Sequence, residues 1–110
     1  MSKYLILIFQ DEAAGQPPAD AVSPRYREFM ERHASSLLGG IALENPDTAT
    51  SIRRDDAGEP IVTDGPFAES KEALGGTFLI VAADLDEALA IAEAVPVGIG
   101  VEVRPVRLVS

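Results

Sequence analysis

Two short stretches of this 110-residue chain are apolar at consecutive rather than alternate positions: Tyr4-Leu5-Ile6-Leu7-Ile8-Phe9, and Phe78-Leu79-Ile80-Val81 within Thr77 to Ala82. A strand with one face in water alternates apolar and polar residues, so these runs predict central strands buried on both faces. Only two other segments carry the helical period, and two helices cover just one face of a sheet. The second face needs another cover, and self-association through it is the physical expectation.

The first helix is predicted from Ser23-Pro24 to Leu38. Ser23 offers a capping oxygen, Pro24 suits the first helical position, and Gly39-Gly40 supplies the stop. Tyr26, Phe29, Met30, His33, Ala34 and Leu37 fall on one face of it. The second helix opens at Asp84-Leu85-Asp86-Glu87, a capping box with acids suited to the helix dipole, and Pro96 ends it. Its inward stripe is expected to be Leu85, Ala88, Leu89, Ala92 and Val95. Ile41 to Leu43 and Ala49 to Arg54 read as extended, with Asn45-Pro46-Asp47 between them. Asp55-Asp56-Ala57-Gly58 is a turn, and Pro60 to Asp64 returns as the other arm of a hairpin. Asp11 to Val22 has no period and reads as a loop, and Gly75-Gly76 opens the second central strand. Val101 to Val109, interrupted by Pro105, closes the chain near a sheet edge. The expected fold is one α+β domain over residues 1–110, a ferredoxin-like split β-α-β unit with an extra hairpin arm.

Composition narrows the function. At 46% hydrophobic, the chain has apolar material for one core. Eighteen acidic against nine basic residues give a net charge of −9, which repels phosphate backbones and anionic membranes. No nucleic-acid or membrane partner is therefore expected. The N-terminal apolar run stops at Gln10-Asp11-Glu12, too short for a secretory core or a membrane span, so a cytoplasmic location is expected. The absence of cysteine excludes disulfides and thiolate chemistry, and one histidine excludes multi-histidine metal sites. With no carboxylate metal loop, phosphate loop or G-x-S-x-G elbow, no metal and no cofactor is expected.

The chemistry-bearing residues gather near one turn. Asp64 ends a strand just before Gly65-Pro66, where a carboxylate either binds N–H groups of its own turn or faces a cleft as base or ligand. Glu69, Ser70, Lys71 and Glu72 follow as either a solvated loop or the polar lining of a pocket with Phe67 as its wall. His33 is the one side chain whose ordinary pKa lies near neutrality, and it shares a helix face with Phe29, Met30 and Leu37.

From Val62 to Gly76, through TDGPFAESKEALGG, the chain resembles the signature of the YCII-related, or DGPF, family. The resemblance extends to the N-terminal strand, Gly40 to Leu43 with Ala49-Thr50, the helix start at Ala83 to Ala88, and Val101 to Val106. It implies a ferredoxin-like domain paired into a homodimer of dimeric α/β-barrel type with a cleft near the signature, and it implies no established reaction. A broader pattern of the same type carries a His–Asp pair, for which this chain offers His33 and Asp64. The acid often found in the Gly-Gly-Glu-Ala-Leu stretch is replaced here by Ile41.

Three functions fit. The first is a homodimeric small-molecule-binding, accessory or regulatory module, with Asp64, Phe67, Glu69, Ser70 and Lys71 at its pocket. The second is a small acid–base enzyme using Asp64 with His33 or Lys71. The third is a purely structural or interaction protein.

Overall fold

The computed structural model describes residues 1–11, 23–68, 71–96 and 98–108. Six strands and two helices follow in the order β1 (Ser2–Asp11), α1 (Pro24–Arg32), β2 (Leu37–Ala42), β3 (Thr50–Arg54), β4 (Pro60–Asp64), β5 (Glu72–Ala82), α2 (Leu85–Glu93) and β6 (Gly100–Pro105). Four strands form one antiparallel sheet in the order β2-β5-β1-β6, and β3 with β4 forms a separate two-stranded ribbon. Each helix crosses over one strand: α1 joins β1 to β2 across β5, and α2 joins β5 to β6 across β1. The fold is α+β. The loop expected from Asp11 to Val22 lies, after Asp11 itself, outside the described residues.

Both helices lie on one sheet face. The register pairs Tyr4 with Ile80 and Ile6 with Phe78, so the even-numbered residues of 4–8 and 76–82 share a side, and a register shift after Ile8 puts Leu74 on the other side opposite Phe9. Tyr4, Ile6, Ile8, Phe78, Ile80 and Ala82 are buried there against Phe29 of α1 and Ala88, Ile91 and Ala92 of α2. Val103 of β6 packs on the same cluster. Burying each large aliphatic of this set contributes about 1.5–3 kcal/mol.

The other face carries Leu5, Leu7, Phe9, Leu79 and Val81, all half-buried, with Leu74 and Ile41 exposed. No helix of the described chain covers it. Among the described residues, the continuous apolar runs are thus fully buried on one side only. No helix among the described residues is long and apolar enough to cross a membrane.

Several elements differ from their sequence expectation. The first helix stops at Arg32 rather than Leu38, with His33 as its C-cap. Ser35-Ser36 is a weak helical pair, because serine hydroxyls compete for backbone hydrogen bonds. Sheet pairing wins there: the Val81 N–H donates to the Ser36 carbonyl at 2.9 Å, and Leu37 pairs with Ile80 and packs on the core. Gly39-Gly40 consequently belongs to β2 rather than to a helix cap. Gly75-Gly76 does not open β5, which begins three residues earlier at Glu72; both glycines are buried mid-strand. A Cβ on Gly76 would stand 2.6 Å from the Ile41 carbonyl oxygen, so the close approach of β2 excludes a side chain there. In α2 the inward stripe is Ala88, Ile91 and Ala92, while Leu85 and Leu89 are exposed. The small side chains of Ala88 and Ala92 belong to the buried cluster that includes Ala82, and the two leucines lie outside it.

Candidate functional site

The signature turn is fastened to β3. Asp64 is the last residue of β4, and Gly65 follows with a φ of +103°, a conformation that disfavours any side chain. The Gly65 N–H donates to the Ala49 carbonyl at 2.7 Å, and the Ser51 hydroxyl donates to the Gly65 carbonyl at 2.6 Å. Ser51 is the buried polar residue of the described chain. Beyond Pro66, the Arg53 guanidinium lies 3.8 Å from the centroid of the Phe67 ring and donates to the Phe67 carbonyl. Backbone, hydroxyl and guanidinium together hold residues 64–67 in one conformation.

At the far end of the ribbon, the Asp55 carboxylate accepts from the Ala57 and Glu59 N–H groups at 2.9 Å each. Gly58 there takes a φ of +83°. This is the turn expected between the two hairpin arms.

Register divides the ribbon into two faces. Thr50 pairs with Asp64, Ile52 with Val62 and Arg54 with Pro60 on one; Ser51 pairs with Thr63 and Arg53 with Ile61 on the other. Asp64 therefore projects from the side opposite the Arg53–Phe67 stack. Phe67 is 59% exposed, and it is the base on which a guanidinium rests rather than the wall of an enclosed pocket.

His33 belongs to a different layer. Its ring centroid is 5.0 Å from that of Phe29, and its Nε2 is buried with no hydrogen-bond partner. Among the described residues no hydrogen bond or ion pair joins Asp64 to His33 or to Lys71. Lys71 is exposed in the bend just before β5, and Glu72 is the first residue of that strand rather than part of a loop rim. Glu69 and Ser70 lie outside the described residues.

Two open grooves flank the sheet. One, of about 260 Å³, runs between α1 and β2 and is lined by Tyr26, Met30, residues 37–42 and Phe78. Burial of Tyr26 raises its phenol pKa above the usual 10.0. The other, of about 350 Å³, lies at the end of β1, β5 and β6 and is lined by Phe9, Glu72, Ile99, Gly100, Val101 and Glu102. Of the signature residues, Glu72 reaches this second groove; Asp64, Phe67 and Lys71 line neither. No cluster of three or more metal-ligating side chains occurs among the described residues.

Sequence reasoning missed Ser51, Arg53 and the α1–β2 groove. Ser51 and Arg53 sit one turn and about fourteen residues before the groups they hold, and only strand pairing brings them there. The groove was hidden because Leu37 to Gly40 read as the end of a helix.

The YCII-related domain model matches residues 2–110. An uncharacterized protein of Rhizobium meliloti (strain 1021) is 40% identical, over 96% of this chain and 92% of its own length. A match from the first strand to the last, with the signature turn pinned at its centre, makes this chain a member of the YCII-related domain family.

Proposed function

We propose that the chain is a homodimeric small-molecule-binding module of accessory or regulatory role, built on a ferredoxin-like α+β domain with a hairpin arm. The strand order β2-β5-β1-β6 with both helices on one face supports that fold description. The observation that carries the dimer is the bare apolar face of Leu5, Leu7, Phe9, Leu79 and Val81, continuous across the two central strands. A second copy stacked on this face completes the burial that the helices provide on the other side, as in a dimeric α/β barrel.

The ligand site is assigned to the signature. Its turn is fixed at Gly65 by two hydrogen bonds, so Asp64 is a preorganised, exposed carboxylate that meets a polar ligand with little ordering cost. Binding is favoured over acid–base catalysis because no hydrogen bond or ion pair joins Asp64 to His33 or Lys71 among the described residues.

A thermal-shift panel of amines, amino acids and other small polar metabolites tests this. A ligand at about 100 times its Kd stabilises the fold by about 2.7 kcal/mol. The expected result is a shift for one chemical class in the wild type that disappears in Asp64→Asn. A ligand whose shift is untouched by Asp64→Asn would move the site elsewhere, and no shift across the panel would refute the binding reading.

A further inference from the structure

The bare sheet face is not wholly apolar. Leu5 pairs with Arg104 and Leu7 with Glu102, so two charged residues of β6 stand on the side of the sheet that the helices leave open. Val103 between them packs on the helix-covered core, which fixes that assignment independently. The Arg104 Nε donates to Glu102 Oε2, and the side chains of this ion pair are 71% and 43% exposed. One base and one acid, two residues apart on one edge strand, thus border the apolar patch of Leu5, Leu7, Phe9, Leu79 and Val81.

We infer that this ion pair orients the dimer: the two-fold axis runs across the strands, β6 lies against the partner's β6, and Glu102 of each copy meets the partner's Arg104. This rests on the homodimer proposed above and adds how the two copies face each other.

In an isologous contact, where residue i meets j, j also meets i. A two-fold axis between stacked sheets has two simple settings. Set along the strands, it places β6 over the partner's β2, whose residues on this face are Gly39 and Ile41, and each ion pair is covered by a strand without charge. Set across the strands, it places β6 over β6 in antiparallel sense. An axis level with Ile6 and Val103 then brings Glu102 opposite the partner's Arg104 twice over, and it stacks Leu5 on the partner's Leu7.

The chemistry of the pair favours the second setting. Covering an ion pair strips water that other hydrogen bonds must replace. The contact within one copy is made by Nε, and the rest of the planar guanidinium fork can donate to the partner's Glu102 carboxylate. A chain of net charge −9 repels its own copies at long range, so a local pattern that is its own complement is what selects a second copy, and in one orientation.

Charge exchange tests this in sedimentation equilibrium of the full chain. Glu102→Arg puts two positive charges on each β6, and Arg104→Glu puts two negative ones. Each variant alone is expected to dimerise at least tenfold more weakly than wild type, and an equal mixture of the two is expected to recover a heterodimer within threefold of the wild-type Kd. The exchanged variant Glu102→Arg/Arg104→Glu keeps an ion pair within each copy. It should dimerise with itself but not with isotope-labelled wild type in native mass spectrometry, because like charges then meet across the axis. If both single variants dimerise like wild type, the ion pairs lie outside the interface and the orientation is wrong while the dimer stands. If the exchanged variant mixes freely with wild type, β6 does not face β6 and the orientation is again wrong. If wild type is monomeric throughout, the homodimer falls, and its orientation with it.

Discussion

Ser51→Ala isolates the clamp that holds the signature turn. The hydroxyl donates to the Gly65 carbonyl at 2.6 Å from a residue 7% exposed. A neutral hydrogen bond of this kind contributes about 0.5–1.5 kcal/mol net. Gly65 is only half-buried, so water replaces part of what is lost, and about 1 kcal/mol is the expected cost. Among the described elements the ribbon barely touches any but its own two strands, so it opens without opening the core. The loss should therefore appear locally. In native-state hydrogen exchange, amides of β3, β4 and Gly65 are expected to exchange about fivefold faster in Ser51→Ala, the factor that corresponds to about 1 kcal/mol. Amides of Ile6 and Ile80, which are fully buried, should be unchanged. Were the ribbon instead cooperative with the core, the same 1 kcal/mol would lower Tm by about 4 °C in a 110-residue chain. A Tm drop of that size with uniform acceleration of core and ribbon amides would refute the picture of a separately opening arm, and unchanged ribbon exchange would refute the clamp.

Three other perturbations probe the frame around the site. Gly40→Ala would bring a Cβ to 2.6 Å and 2.7 Å from two Phe78 ring carbons; about 1–3 kcal/mol of destabilisation in urea melts is expected, since Phe78 is 3% exposed and packed on Tyr26 and Phe29. Asp84→Ala removes the carboxylate that accepts from the Glu87 N–H at 2.9 Å at the start of α2, and should lose about 0.5–2 kcal/mol, with Asp84→Ser retaining most of it. Tyr26 has its pKa raised by burial, so the unfolded chain ionises first as pH rises. Its contribution is constant below pH 10.0 and stability declines as pH climbs through and above that value, a decline that Tyr26→Phe should flatten in denaturation series from pH 8 to 11.

Much of the frame is legible in the residues. The runs Tyr4–Phe9 and Phe78–Val81 give the two central strands, Ser23-Pro24 and Asp84 give both helix starts, and Asp55 to Gly58 gives the hairpin turn, because each rests on local chemistry. What misled were features decided by pairing across the sheet. Leu37 has helical spacing from Phe29 and His33, yet bonding of the Ser36–Leu37 segment to β5 takes it into a strand. Gly75-Gly76 looks like a break, but β2 lies so close that only glycine fits at 76. Leu85 and Leu89 satisfy an inward stripe on paper, while two alanines at 88 and 92 decide which side approaches the sheet.

The signature turn was legible in the sequence, and the arrangement of side chains around it was not. The TDGPF run marks Asp64 correctly as a strand end before a glycine turn. Nothing local reveals that Asp64 and the Arg53–Phe67 stack occupy opposite ribbon faces, because that follows from register with β3. Helix periodicity, by contrast, does place His33 beside Phe29, and their ring centroids are 5.0 Å apart. A bare sheet face was likewise predictable from counting: two helices, four strands, and apolar residues on both sides.

Pairing through that face doubles the mass of the protein in solution. Sedimentation equilibrium at tens of micromolar should return twice the 11.6 kDa chain mass for wild type. Leu7→Glu, which places a carboxylate mid-face beside Thr77 and Glu102 while leaving the helix-covered core intact, should return 11.6 kDa with an unchanged far-ultraviolet spectrum. A wild-type mass of 11.6 kDa, or a Leu7→Glu variant that still sediments as a dimer, would contradict pairing through the bare face.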